Sequence, residues 1–190
     1  MTPVELSGYV ALGAVTLLAI NLLLGLLMAG GYNPARHWPW RPLKLFTFHN
    51  WTGYVALAAV LLHPAILLFS SSPRFRIIDL LVPLWSPVQP LSNTLGAVAL
   101  YLVVIVVGTS YCRRALGRHR WKIIHYSTYA AAIVFFLHGI IADPTVSGRA
   151  IDYIDGEKVF IEGCALAFVA MAIWRVRHRR SQRRLMPARG

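Results

Sequence analysis

Twenty-four consecutive residues without a formal charge, Phe46 to Phe69 (FTFHNWTGYVALAAVLLHPAILLF), constrain this chain more than any other stretch. A helix that crosses a bilayer needs about 20 apolar residues at roughly 1.5 Å each, and this run supplies them. It also holds a histidine near each end, His49 and His63. Fourteen residues of helix separate these two by about 21 Å along the axis and by only about 40° around it, so both look the same way. An imidazole in hydrocarbon has a partner or a function, and two on one face at two depths point to two buried groups.

The remainder of the 190 residues fits a membrane protein: 57% are hydrophobic, the mean hydropathy is +0.57, and the apolar residues come in blocks. The expected fold is an all-α membrane protein forming one transmembrane domain over 1–190. Its five spans are predicted at 7–29, 46–69, 93–111, 121–142 and 158–174, with a basic cytoplasmic tail at 175–190. The first span should end at Gly30-Gly31, Ser92 or Asn93 should cap the third, and Asp143-Pro144 should close the fourth. The start, MTPVELSGYV, has Glu5 and no basic leader region, so the first span is expected to stay in the mature protein.

Lys and Arg set the orientation. They collect in the first connection (Arg36, Arg41, Lys44), the third (Arg113, Arg114, Arg118, Arg120, Lys122) and the tail (seven arginines from Arg175 to Arg189). The second and fourth connections carry Arg74, Arg76, Arg149 and Lys158 against Asp79, Asp143, Asp152, Asp155 and Glu157. Five spans with the N-terminus outside and the C-terminus cytoplasmic put every basic segment inside a cell inner membrane. The net charge of +12 therefore serves topology and anionic lipid, and nucleic acid is not an expected partner. Trp38, Trp40, Trp121 and Trp174 fall at the inner ends of spans as an aromatic belt, and Arg74–Trp85 is too short and broken to span, so it should lie along the outer surface. Glu162 should snorkel, and His37, His119 and His178 should be solvated. Cys112 and Cys164 should fall on opposite sides of the membrane, unable to join.

The fourth span answers the second with His125 and His138, 13 residues apart. The two spans run in the same direction, so His49 is level with His125 and His63 with His138. Each level offers two neutral imidazoles from facing helices, the pair that six-coordinate haem iron takes on its axial sides. Zinc would want three or four ligands converging on one point. Small residues near the histidines, Gly53, Ala56 and Ala59 with Ala130, Ala131 and Ala132, would admit a flat macrocycle, although they also serve close helix packing. One detail sits badly: 13 residues of ideal helix turn about 220°, so His125 and His138 should face different sides. Either the span is overwound or kinked, or its two groups sit at different azimuths.

The pattern H-x13-H on one span and H-x12-H on the next but one resembles the ferric reductase-like transmembrane domain of ferric-chelate reductases, NADPH oxidases and bacterial haem-binding subunits. The resemblance runs over about 43–174. It implies two haem b groups, an inner one on His49 and His125 and an outer one on His63 and His138, in a di-haem helical bundle. It further implies an oxidoreductase component that carries electrons outward from a cytoplasmic flavin or NAD(P)H donor. Candidate acceptors are ferric chelate, a periplasmic redox partner such as a methionine sulfoxide reductase, or oxygen. No Gly-rich dinucleotide fingerprint follows the last span, so the FMN or FAD would sit at the cytoplasmic face or on a partner flavoprotein reductase. Arg41, Lys44, Arg118, Arg120 and Lys122 are candidates for inner propionates or a flavin phosphate. Superoxide-producing relatives carry a further histidine where this chain has Leu67. A quinone-linked cytochrome b subunit of a larger dehydrogenase and a non-redox membrane scaffold are the competing readings.

Overall fold

A computed structural model of the chain describes residues 1–32, 44–142 and 152–185. Arg36, His37, Trp38, Trp40, Arg41, Asp143-Pro144 and Arg149 lie outside the described residues, as does Arg189. The described residues are helical, with no strand, and five helices are long and apolar enough to cross a membrane.

Helix α1 spans Pro3–Gly30 and starts four residues earlier than its apolar run suggests. A capping box is the reason: Thr2 N–H donates to Glu5 Oε2 at 2.7 Å, Glu5 N–H donates to Thr2 Oγ1 at 3.2 Å, and Pro3 opens the helix. The helix stops at Gly31, whose φ of 75° only glycine adopts at little cost. Helix α2 covers Leu45–Leu67 and contains Pro64. Then come a one-turn helix α3, Ile77–Leu81, and a 3₁₀ turn, Pro83–Trp85. Helix α4 is Pro90–Tyr111. Its first turn contains Ser92 and Asn93, and neither is the N-cap; that position is Gln89, with Pro90 opening the helix. Asn93 instead donates to Ser86 Oγ and Val88 O, at 2.9 and 2.8 Å, and holds the loop that precedes it.

The fourth span is not one rod. After the short helix α5, Arg113–Leu116, it divides into α6, Arg118–His125, and α7, Thr128–Ile141. Tyr126 and Ser127 between them have φ/ψ of −67/−19° and −63/−11°. Ser127 N–H bonds Ile124 O at 2.9 Å and Tyr129 N–H bonds Tyr126 O at 3.2 Å. These are 3₁₀ steps, tighter than α by about 20° per residue. Of the two explanations for the spacing of 13, local overwinding is present at the joint just after His125.

Helix α8 runs over Gly156–Leu185, well past the span predicted to end at Trp174, so most of the basic tail continues as helix. Its first turn is fastened to the end of α7 by Lys158, whose Nζ donates to Gly139 O at 2.9 Å and to Ala142 O. Lys158, counted with the fourth connection and placed at the start of the fifth span, is 5% exposed because it satisfies carbonyls that the end of α7 leaves open. Farther along, Trp174 meets Tyr32 edge-on at 6.0 Å and stacks on His178 at 5.2 Å, which removes His178 from the class of plainly solvated histidines. His119 is exposed, Glu162 is half-buried, and the thiols of Cys112 and Cys164 are both free.

The core joins Val15 and Leu26 of α1, Ala132 and Phe136 of α7, and Ile161 and Phe168 of α8. Large apolar side chains such as Trp51, Leu62, Ile133 and Leu166 point outward, as expected of faces whose solvent is lipid. Ala130 is among the exposed residues, so it faces away from the helix interior where it was expected, while Ala56, Ala131 and Ala132 are buried.

Candidate functional site

The four span histidines come together in two pairs. His49 and His125 have ring centroids 6.4 Å apart with planes at 79°, and His63 and His138 have centroids 6.4 Å apart with planes at 58°. A single metal ion between two imidazoles sets a similar figure. Two metal–nitrogen bonds of about 2.0 Å, plus about 1.1 Å from each nitrogen to its ring centroid, give about 6.2 Å. Both pairs meet this, at two levels, as the residue spacing predicts. Among the described residues no three or more His, Cys, Asp or Glu side chains converge at either level.

The ring orientations come from neighbouring helices. Helices α1 and α2 are antiparallel, and each histidine of α2 faces one polar residue of α1. His63 Nδ1 donates to Ser7 O at 2.9 Å, and Ser7 Oγ donates to His63 O at 2.8 Å. His49 Nδ1 donates to Asn21 O at 3.1 Å, and Asn21 Nδ2 donates to His49 O and to Thr52 Oγ1, the latter at 2.8 Å. Pro64, next to His63, has no N–H to give to the Val60 carbonyl one turn back, so the α2 ladder lacks one bond at this level. On the other side α4 holds its partners. His138 Nδ1 donates to Ser92 O at 2.8 Å, and His125 Nδ1 lies 3.4 Å from Ser110 Oγ.

A carbonyl oxygen can only accept, so His49, His63 and His138 carry their proton on Nδ1 and keep a bare lone pair on Nε2. That is the tautomer a metal ligand needs, with its second nitrogen held by a carbonyl.

Glycines make room for the rings. A Cβ on Gly96 would stand 2.8 Å from His138 Cε1, and one on Gly25 3.3 Å from His49 Cε1. Gly53, expected beside the histidines, instead lets Asn21 close on α2, since a Cβ there would lie 3.3 Å from Asn21 Nδ2.

Two cavities lie within the bundle, and one of them reaches a histidine pair. One of about 190 Å³ is lined by His63 and His138 and roofed by Phe75, Asp79, Leu80 and Pro83. The segment expected along the surface thus folds over the end of the bundle, with Phe75 and Asp79 buried. The second, about 40 Å³, lies beside Asn21 and Thr128, and Leu18, Val103 and Phe135 line both, forming the wall between them. In the roof Arg76 Nε and Nη2 each bond Asp79 at 3.2 Å, and this pairing holds the Asp79 carboxyl below its ordinary pKa. Leu67 lines the larger cavity as an apolar wall.

The exposed cations Lys44, Arg118, Arg120 and Lys122 belong to segments adjoining His49 and His125; Lys122 also lies over Tyr126, 5.8 Å from its centroid. Trp121, expected only as part of an aromatic belt, stacks on His125 at 4.9 Å. Sequence reasoning missed Ser7, Asn21, Ser92 and Ser110 as ring partners. The signal was available for two of them, because Ser7 and Asn21 repeat on α1 the 14-residue interval of His49 and His63.

A family model described as "Ferric reductase like transmembrane component" matches residues 10–136. The match takes in His49, His63 and His125 and ends two residues before His138, whose place in the second pair rests on the geometry above. No curated protein and no solved structure matches the chain.

Proposed function

The chain belongs to the ferric reductase-like transmembrane component family, and from that premise we propose that it is a di-haem cytochrome b that carries electrons across the cell inner membrane. As a multi-pass membrane protein of this family it is an electron-transfer component that works with a redox partner. The finer reading assigns two haem b groups, one to His49 and His125 and one to His63 and His138. A cytoplasmic flavoprotein, or FMN or FAD at the inner face, supplies the electrons. Ferric chelate, a periplasmic redox protein or oxygen receives them.

The observation that carries this reading is the repeated spacing of 6.4 Å between paired imidazoles, each ring held through Nδ1. Bound haem would supply the one-electron chemistry. The chain's own part is to present Nε2 lone pairs from facing helices, fix the rings with main-chain carbonyls, and enclose the site in apolar side chains. Arg118, Arg120 and Lys122 place positive charge where propionates or a flavin phosphate would be met.

The test is a reduced-minus-oxidised visible spectrum of detergent-purified protein expressed with ample haem, with haem counted per chain. About two b-type haems per chain, and one in each of His49→Ala and His63→Ala, support the reading. A colourless protein returns the chain to a membrane scaffold. Purification only within a larger quinone-reactive dehydrogenase favours the cytochrome b subunit reading.

A further inference from the structure

His125 is held unlike its three counterparts. His49, His63 and His138 give Nδ1–H to main-chain carbonyls at 2.8 to 3.1 Å, with the hydroxyls of Ser7 and Ser92 at 2.9 and 3.4 Å from two of those nitrogens. The described partner of His125 Nδ1 is a side chain, Ser110 Oγ at 3.4 Å. That hydroxyl donates its proton to Val106 O at 2.7 Å and accepts from Trp121 Nε1–H at 3.2 Å. A hydroxyl has one proton and two acceptor sites, so the remaining site takes the proton of His125 Nδ1 and leaves Nε2 bare. Trp121, whose indole N–H anchors it to Ser110, lies over the His125 ring with 26° between the planes. Both groups act on one imidazole at the start of the 3₁₀ joint.

We propose that Trp121 and Ser110 are positioning residues for His125: Ser110 sets its tautomer and donor strength, and Trp121 sets the azimuth of its ring. This rests on the reading of His49 and His125 as an axial pair. A hydrogen bond at Nδ1–H makes an imidazole a stronger donor and favours the ferric state. Deleting a main-chain acceptor is impossible by substitution, whereas Ser110→Ala deletes this one. The near-perpendicular rings of this pair also predict a more anisotropic low-spin ferric signal than the 58° pair gives.

The experiment is a redox titration and an electron paramagnetic resonance spectrum of the full chain, wild type and variants, with His63→Ala used to assign the haem on His49 and His125. Ser110→Ala raises the midpoint potential of that haem, or loses that haem while keeping the other; Ser110→Thr restores it. Ser92→Ala, which keeps its carbonyl, shifts the other haem far less. Trp121→Leu lowers the anisotropy of the same haem's signal, and Trp121→Phe keeps most of it. Shifts in both haems, in neither, or in the wrong one overturn the positioning role while leaving a di-haem protein. Wild type without haem, by contrast, overturns the functional reading itself and this assignment with it.

Discussion

Ser7 holds His63 at both ends, taking the ring proton on its carbonyl at 2.9 Å and giving its hydroxyl proton to the histidine carbonyl at 2.8 Å. Asn21 does the same for His49. The reciprocal grip fixes the distance between α1 and α2 and the direction of each ring together.

Removing one half of the grip should loosen the helix pair. Interhelical side-chain bonds in membranes contribute about 0.6 kcal/mol each, at most about 1.7. Ser7→Ala should therefore lower stability by about 1 kcal/mol, and Asn21→Ala, which loses bonds to His49 and Thr52, by about twice that. Thermal unfolding in detergent measures both. Thr16→Ala, whose hydroxyl bonds only Leu12 of its own helix, is the control, and equal losses in all three would contradict the grip.

Gly96 should be intolerant of the smallest side chain. A Cβ there would sit 2.8 Å from His138 Cε1 and 3.1 Å from both ring nitrogens, so Gly96→Ala must displace the ring. The expected result is loss of the haem on His63 and His138 with the other retained. Gly25→Ala, at 3.3 Å from His49, should perturb its site more mildly, and Gly13→Ala, with open space around it, should change nothing. Haem content per chain separates the three.

His138 lies past the family match but should be as necessary as His63. His138→Ala and His63→Ala are expected to lose the same haem, and the double variant should lose no more than either single one. A double variant that loses both haems would show that the pairing is wrong.

The roof over the larger cavity should loosen in acid. Folding lowers the pKa of Asp79 through its bonds to Arg76. A group depressed in this way contributes stability above its unfolded pKa of about 3.9 and loses it as the pH falls through the folded value. Protease accessibility of residues 74–85 should therefore rise below about pH 4 and stay flat from there to neutrality, and Asp79→Asn should show the raised accessibility at all pH values.

Replacing Lys158 should unfasten α8 from α7. Lys158→Met leaves Gly139 O and Ala142 O without that donor, at about 1 to 3 kcal/mol for a buried acceptor left unmet. Thermal unfolding checks the loss, and an unchanged midpoint would mean that water reaches both carbonyls.

The spans and the pairing of the four histidines were legible because both follow from spacing: length against bilayer thickness, and 14 or 13 residues against helical rise. What spacing misses is any departure from ideal helix. The overwound joint at Tyr126 and Ser127 has no glycine or proline to announce it, so the azimuth of His138 stayed open. Polar residues in apolar runs were the readable hint to Ser7 and Asn21, but a serine inside a helix usually bonds its own backbone, as Ser110 also does to Val106. The burial of Lys158 was hidden because it depends on where α7 ends, and the helical tail because seven arginines look the same solvated on coil or on helix. Ala130 was misplaced for a simpler reason: three consecutive helical residues, Ala130 to Ala132, cannot all share one face.

The sums 7 + 63 and 21 + 49 are equal, as an antiparallel register requires. Sliding α1 by one residue would turn Ser7 and Asn21 by about 100° and unhook both histidines at once. The hairpin therefore works as a two-toothed key. It either seats both α2 rings or neither, so under the di-haem reading a misregistered chain takes up no haem at all.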